Sequence, residues 1–183
     1  MNGRSATMSR VRSRADNRLT RALRLTIRDI AVNSIAGSSL AFFPLRVTIY
    51  RLFGMTIQTL NIRSGCHFAA GSVSIGPRTF VNYRCFFDGD VRIGSDCEIA
   101  MDVLFCGTTH EVGPAHHRAG AVVSQPISIG DGCWIGARAM IMPGVSIGAG
   151  SIVGAGAIVT KDCPPNTVIR GEPARAARTL AER

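Results

Sequence analysis

The sequence predicts an all-β solenoid, a parallel β-helix built from short strands, and three observations lead to this fold class. An aliphatic or large apolar residue returns at every sixth position over most of the chain. Glycine often follows that residue, and the fifth position of each six-residue unit is small. A helix would repeat near 3.6 residues and a simple strand at two, so neither explains this period. Short strands joined by turns and wound into a solenoid do explain it.

The repeat keeps one register through twelve units, which an ordinary β-sandwich would not do. Three units make a triangular coil of 18 residues, so we expect each apolar residue to point inward and to stack on the residue 18 positions later. Two earlier units, from Ile62 and Phe68, fit with one extra residue before Ile75. The twelve inward positions are Ile75, Val81, Phe87, Ile93, Ile99, Phe105, Ile129, Ile135, Ile141, Ile147, Val153 and Val159.

Five of the six cysteines fall on the small fifth position of the repeat. This position predicts buried core residues without disulfides, and no spacing of a zinc site is present. Free thiols are compatible with a reducing cytoplasm. Cys106 alone occupies the second position, where it could line a cleft, but a nucleophile would need a base beside it. The five are Cys66, Cys85, Cys97, Cys133 and Cys163.

The length of 183 residues is that of a single domain, and the charge is concentrated at its start. Residues 1–51 hold ten Arg against two Asp, whereas residues 52–183 hold eleven basic against ten acidic residues. The body is therefore nearly neutral, which argues against nucleic-acid binding by it. No segment is long and apolar enough for a membrane span, and the pattern of a signal peptide is absent.

The first 55 residues are predicted to form a basic helical arm. Apolar residues from Leu19 to Ala31 recur at intervals of three and four, with Arg18, Arg21, Arg24 and Arg28 mostly on the other side. Such an amphipathic helix can pack on the solenoid or lie on an anionic membrane surface, and we favour packing. A second short helix is expected from Leu45 to Phe53.

The repeat stops between Phe105 and Ile129, and chemistry is expected there. Residues 111–126 form no further unit, which predicts a loop extruded from the β-helix of residues 56–170. His110 ends the last regular unit, at the mouth of this loop. Residues 171–183 are expected to form a short C-terminal tail.

Four segments together resemble the hexapeptide-repeat acyltransferases. The resemblance covers about residues 55–178 and is nearest to the maltose, galactoside and nodulation acetyltransferases and to O-acetyltransferases of polysaccharide biosynthesis. It implies a left-handed β-helix, acetyl-CoA as acyl donor without a required metal, and a homotrimer with active sites between subunits. The segments are FVNYRCFFD (80–88), GTTH (107–110), GCWIGARAMIMPG (132–144), and VTKDCPP (159–165) followed by GEPARAAR (171–178).

The resemblance assigns a role to each matching position. His110 matches the general base that takes the proton from the acceptor hydroxyl, and an imidazole, whose ordinary pKa is about 6.5, suits that task. Asn82 and Asp88 match residues that contact the acceptor, and Trp134 matches an aromatic residue beside the active-site tunnel. The positions that match the coenzyme A contacts are Gly136, Ala137, Gly154 and Ala155 for pantetheine, and Thr160, Lys161, Arg175 and Arg178 for the adenine and phosphates.

Structural explanations remain open for each of these residues. His110 could be a structural histidine, and Asn82 and Asp88 could simply suit turns. Trp134 could cover surface, and Arg175 and Arg178 could be solvated charges of the tail. His116 and His117 are interpreted as loop residues.

Two other functions compete with acetyl transfer. The solenoid could serve only as a scaffold, or it could carry a zinc-dependent hydratase of the carbonic-anhydrase type. The latter needs three convergent histidines, of which His67 and His110 alone could lie on coils. The acceptor, as well as transfer to oxygen or to nitrogen, stays open at this point.

Overall fold

The computed structural model describes residues 20–69 and 71–180, and its main body is a triangular prism with three parallel sheets as faces. Sheet A contains β1 (Thr56–Ile57), β3 (Val73–Ile75), β6 (Val91–Ile93), β11 (Ile127–Ile129) and β14 (Ser146–Ile147). Sheet B contains β4 (Phe80–Val81), β7 (Glu98–Ile99), β12 (Trp134–Ile135), β15 (Ile152–Val153), β17 (Thr167–Gly171) and β18 (Ala174–Thr179). Sheet C contains β2 (His67–Phe68), β5 (Phe86–Asp88), β8 (Leu104–Cys106), β13 (Met140–Ile141) and β16 (Ile158–Val159).

The register between neighbouring coils confirms the predicted spacing of 18 residues. Ile75 pairs with Ile93, and Ile129 pairs with Ile147. The lowest coil carries the one extra residue, because Phe68 pairs with Phe87, 19 positions later. The chain therefore winds from sheet A to sheet B to sheet C and back, and we name the corners edge AB, edge BC and edge CA.

The core fills the interior of the prism as the repeat predicts. All twelve inward positions are at most 4% exposed, and the rings of Phe68, Phe87 and Phe105 stack at 4.7 and 5.0 Å between centroids. The five cysteines of the small position are buried free thiols, as predicted. Among the fifth positions of the twelve units from Ile75 onward, Thr109 alone is exposed, because the chain has left the coil before it.

The segment predicted as an extruded loop is instead an antiparallel β-hairpin. Strands β9 (Thr108–Val112) and β10 (Ala119–Ser124) pair with a register shift between Ala119 and Val122. The hairpin leaves the prism at edge CA, and the coil resumes in phase, so that Phe105 pairs with Ile141 at twice the usual spacing. His110 consequently lies on the hairpin and not at the end of a coil. The sequence did not reveal these strands because antiparallel pairing depends on a partner strand, not on the six-residue period.

The N-terminal arm closes the lower end of the prism. The described part of helix α1 spans residues 20–36, with a π-helical segment Ile30–Ala36, and α2 is Phe43–Leu52. Asn33 accepts a hydrogen bond from the backbone N–H of Phe68 at 2.8 Å, and Tyr50 packs against the Phe68 ring. The favoured packing of the arm thus holds from Arg28 onward, whereas residues 20–27 are exposed. Leu19 and Arg18 lie outside the described residues.

Two element boundaries differ from those expected from sequence. The second helix begins at Phe43, where Pro44 occupies its first turn, and it ends one residue before the predicted end. The predicted C-terminal tail contains strand β18, which pairs antiparallel with β17 and extends sheet B. Among the described residues, no helix has the length and apolar character needed to cross a membrane.

Candidate active site

His110 lies on strand β9 with its imidazole held by the opposite strand. Its Nδ1 atom is 2.9 Å from the carbonyl oxygen of Gly120. Because a carbonyl only accepts hydrogen bonds, Nδ1 carries the proton in the neutral ring and Nε2 keeps its lone pair. The side chain is exposed on the single chain. The hairpin therefore presents Nε2 as a proton acceptor at edge CA.

Asp88 fastens the base of the hairpin to the coil below it. Its carboxylate accepts a short hydrogen bond from the Thr108 hydroxyl, and its backbone oxygen accepts the N–H of Gly107 at 2.8 Å. Thr108 and His110 are two positions apart on one strand and so point to the same side. Asp88 and His110 therefore share edge CA.

Asn82 lies on a different corner of the prism. It follows β4 at edge BC, and its Oδ1 accepts the backbone N–H of Tyr83 at 2.8 Å. This contact explains Asn82 as a turn residue, while its Nδ2 makes no hydrogen bond among the described residues. Sheet C separates Asn82 from Asp88 in one chain.

The predicted pantetheine contacts also line edge BC. Gly136 and Gly154 stand above Asn82 at the same position of successive coils, and Trp134, which is 56% exposed, lies beside them on sheet B. A Cβ atom on Gly136 would lie 2.5 Å from the backbone nitrogen of Ala155, so the close approach of the coils itself requires glycine there. Ala137 and Ala155 are the next residues of these turns and present only methyl groups.

The predicted phosphate contacts gather at the upper end of the prism. Thr160 and Lys161 follow β16 at edge CA, above the hairpin, and both are exposed. Arg175 and Arg178 lie on β18, opposite Arg170 and Val168 of β17. Lys161 and the arginines of β18 form no ion pair with any residue in the described ranges, so their charges are available to a ligand.

One chain thus distributes the predicted site over two edges of the prism. Edge CA carries Asp88, His110, Thr160 and Lys161. Edge BC carries Asn82 and the predicted pantetheine contacts. The sequence could not reveal this division, because a six-residue repeat fixes the position within a unit and leaves open which edges face each other.

The remaining candidate residues have structural explanations. Cys106 is half-buried, and burial, with the Asp88 charge adding to it, raises the pKa of its thiol, which disfavours a nucleophilic thiolate. His116 and His117 lie exposed at the hairpin tip, as interpreted from sequence. His67 stacks on the Phe86 ring at 5.0 Å. No group of three metal-ligating side chains forms within residues 20–69 and 71–180.

Two contributors to the site escaped the sequence interpretation. Thr108 binds Asp88, and Gly120 supplies the carbonyl that orients His110. Thr108 could have been found from its position two residues before His110, which places both side chains on the same side of an exposed strand. No sequence signal identifies the carbonyl, because any residue type has one.

The sequence is similar to a known family model and to known acetyltransferases. A family model described as the hexapeptide repeat of succinyl-transferase matches residues 126–161. Galactoside O-acetyltransferase of Escherichia coli K12 is 38% identical over 141 residues, which cover 74% of this chain and 68% of that protein. A putative acetyltransferase of Schizosaccharomyces pombe is 40% identical over 111 residues, or 60% of this chain, and the match spans only 54% of that relative's length.

Solved structures give the same result. A hexapeptide-repeat acetyltransferase of Vibrio cholerae, complexed with acetyl-coenzyme A, superposes with a TM-score of 0.78 at 29% identity, covering 87% of this chain and 88% of the other. A galactoside acetyltransferase in complex with coenzyme A has a TM-score of 0.69 at 32% identity, with 87% and 80% covered. The chain therefore belongs to the hexapeptide-repeat acetyltransferases, acyl-CoA-dependent enzymes built on a left-handed parallel β-helix.

Proposed function

We propose that this chain transfers the acetyl group of acetyl-CoA to a hydroxyl group of a sugar, a polysaccharide precursor or a natural product, with His110 as general base. The observation that carries the proposal is the hydrogen bond from His110 Nδ1 to the Gly120 carbonyl. It fixes the tautomer in which Nε2 can accept the hydroxyl proton. A hydroxyl is a weak nucleophile at neutral pH, so removal of its proton is the help that the reaction needs.

The steps follow from the chemistry of a thioester. The acceptor oxygen attacks the thioester carbonyl carbon as its proton passes to Nε2 of His110. The carbon–sulfur bond then breaks, and the imidazolium returns the proton to the leaving thiolate, so that free coenzyme A and an acetyl ester result. The Gly120 carbonyl keeps accepting the Nδ1–H while the ring is charged, which stabilises the imidazolium. No covalent intermediate on the enzyme is required.

We further propose that the enzyme is a homotrimer in which edge CA of one copy faces edge BC of the next. The distribution of the predicted residues supports this arrangement, since edge CA carries the predicted base and edge BC carries the predicted pantetheine contacts. Asn82, Asp88 and Trp134 would then surround the acceptor. The small residues of edge BC would let pantetheine lie along the backbone, while Lys161, Arg175 and Arg178 offer charges to the phosphates.

The described part of helix α1 is proposed to touch an anionic membrane surface. Leu23, Ile27 and Ile30 share one side of the helix and are 61%, 50% and 50% exposed, with Arg21 and Arg24 on the same segment. This combination of an apolar stripe with arginines suits peripheral attachment to a cytoplasmic leaflet.

The proposed reaction is tested by an acceptor screen. Purified enzyme, acetyl-CoA and a panel of saccharides and natural products are incubated, and release of coenzyme A thiol is followed. Mass spectrometry of each product should show one added acetyl group, and mild base should remove it, because esters are cleaved there and amides are not. Acetyl-CoA binding without thiol release for any acceptor would favour the scaffold function. A base-stable product would show transfer to nitrogen.

A further inference from the structure

A groove opens at the lower end of edge BC, between helix α2 and the first two coils. It has a volume of about 300 Å³ and is lined in part by Phe42, Phe43, Arg63, Ser64 and Tyr83. Tyr83 directly follows Asn82, which is proposed to contact the acceptor. The groove therefore adjoins the acceptor end of the proposed site, although no assigned residue lies in it.

Arg63 is the central group of this groove, and it lacks an anionic partner. Its guanidinium carbon lies 5.1, 5.5 and 5.8 Å from the ring centroids of Phe43, Phe80 and Tyr83. The side chain makes no hydrogen bond or ion pair with any residue that the structure describes. The aromatic rings interact with its charge but accept none of its N–H groups, so these donors are available to a ligand.

A second positive charge stands behind the first. Arg46 is 3% exposed and donates to the backbone oxygens of Ala36, Ser38, Ala41 and Ile62 at 2.7 or 2.8 Å. These carbonyls satisfy its N–H groups but do not neutralise its charge. None of the residues that line the groove is acidic. The groove thus contains two cations without an anion, which favours a negatively charged ligand.

The position of the groove separates it from the proposed phosphate contacts of coenzyme A. Along edge BC, Arg63 lies five strand spacings below Arg170 of β17, and β18, which carries Arg175 and Arg178, is the next strand beyond β17. At about 4.8 Å for each spacing, the two levels are about 24 Å apart. The hairpin with His110 leaves the prism two levels above Arg63, on edge CA, which faces edge BC of the next copy in the proposed trimer. An anion in the groove would therefore belong to the acceptor.

We propose that this Arg63 groove binds a carboxylate or phosphate group of the acceptor, so that the preferred acceptor is an acidic saccharide. The inference rests on the proposed transfer to a saccharide and narrows its substrate class. Arg63 supplies the paired N–H donors that a carboxylate or phosphate accepts, and the hydroxyls of Ser64 and Tyr83 supply further donors. The exposed rings of Phe42 and Tyr83 offer apolar faces to the sugar ring.

Binding measurements test the groove without relying on turnover. Titration calorimetry compares methyl glucuronide, methyl glucoside 6-phosphate and methyl glucoside on the parent enzyme, on Arg63→Met and on the matched control Arg92→Met. Arg92 is an exposed arginine on strand β6 of sheet A. The parent and the control should bind at least one charged ligand about tenfold or more tightly than the neutral one, and Arg63→Met should lose this preference. The two charged ligands distinguish a carboxylate site from a phosphate site.

A second variant covers the case in which Arg63→Met does not fold. Ser64→Asp places a carboxylate beside Arg63 and should abolish the preference for the charged ligands in a protein with unchanged melting. Equal binding of charged and neutral ligands by the parent, or no binding of either charged ligand, overturns the proposal. The proposal is also overturned if both Arg63→Met and Ser64→Asp still bind the charged ligands more tightly than the neutral one.

Turnover of the same ligands separates this proposal from the proposed function. Thiol release is measured with each saccharide on the parent enzyme and on His110→Ala. A charge preference in binding that depends on Arg63, without acetylation of any saccharide, would support the groove and contradict the proposed reaction. Acetylation of all three saccharides with equal kcat/KM would support the reaction and contradict the groove.

Discussion

The Nδ1 atom of His110 and the carbonyl oxygen of Gly120 lie 2.9 Å apart across the two strands of the hairpin. The partners are ten residues apart in sequence and on opposite strands, so the pairing of the strands holds the imidazole in place. A base that is oriented by the backbone needs no carboxylate to choose its tautomer.

Replacement of His110 by Ala should lower kcat by about 10²–10⁴-fold, the usual contribution of a positioned base. Acetyl-CoA affinity and the oligomeric state should change little, because neither is expected to depend on the imidazole. The ascending limb of kcat/KM against pH should be present in the parent and absent in the variant. Steady-state kinetics with thiol detection, together with a melting curve, measure these effects.

His116→Ala and His117→Ala are the matched controls, since both residues lie exposed at the tip of the same hairpin. Their kcat should stay near that of the parent. A folded His110→Ala enzyme that keeps more than about a tenth of the parental kcat would place the base elsewhere.

Two inactive variants should restore activity when they assemble together. His110→Ala damages edge CA, and Ala155→Trp blocks edge BC with a bulky ring. If each site combines edge CA of one copy with edge BC of the next, every trimer that contains both variants has one intact site among its three. Co-expression with two affinity tags, purification of mixed trimers and thiol assays measure this recovery.

Light scattering of the parent enzyme at micromolar concentration should give the mass of three chains. In the mixing experiment, trimers that contain both His110→Ala and Ala155→Trp but show no recovered activity would show that each chain forms its site alone. A stable, active monomer would contradict the trimer itself.

Asn33→Ala should lower the free energy of unfolding by about 1–3 kcal/mol. Its side chain binds both the N–H and the carbonyl of Phe68, at 2.8 and 3.2 Å, at the lower edge of sheet C. Loss of the side chain leaves these backbone groups without that partner. Urea unfolding measures the change, and Arg24→Ala, on the exposed part of the same helix, is the control and should unfold like the parent.

Deletion of residues 1–27 should abolish binding to vesicles that contain anionic lipid and should leave the melting temperature near that of the parent. The contacts of Asn33 and Arg28 with the β-helix are retained in this variant. Vesicle sedimentation and turnover of a water-soluble acceptor are measured together. Equal vesicle binding by both proteins contradicts the membrane role, and a lower melting temperature would show that the deleted segment packs on protein.

Tyr50→Phe should raise the free energy of unfolding by about 1 kcal/mol or more. The Tyr50 hydroxyl is buried and has no hydrogen-bond partner among the described residues, and burial raises the pKa of this group. On folding, this hydroxyl loses its hydrogen bonds to water and gains none in return. Its removal abolishes that cost, while the ring keeps its contact with Phe68. Urea unfolding compares the variant with Tyr83→Phe, whose hydroxyl is on an exposed side chain. A less stable Tyr50→Phe protein would show that the hydroxyl has a partner.

The solenoid could be predicted from the amino-acid sequence alone. The six-residue period identifies each inward residue from Ile75 to Val159. Each unit is one short strand and one turn, so the buried position recurs every six residues. The same period predicted the stacking of neighbouring coils and the buried cysteines. It marked the place where the repeat stops, next to His110. These features depend on contacts that recur at one fixed spacing, so the linear pattern contains them.

The structure of the interrupted segment, and the contacts between distant residues, could not be predicted from the sequence. The hairpin forms because β9 pairs with β10, and this pairing brings the Gly120 carbonyl within hydrogen-bond distance of His110. Asn82 and Asp88, six positions apart, lie on different edges because one unit spans one face of the prism. The Arg63 groove forms where α2 packs against the lowest coils and brings Phe43 to Arg63. Such contacts join segments that share no period, so their geometry follows from the packing of the whole chain.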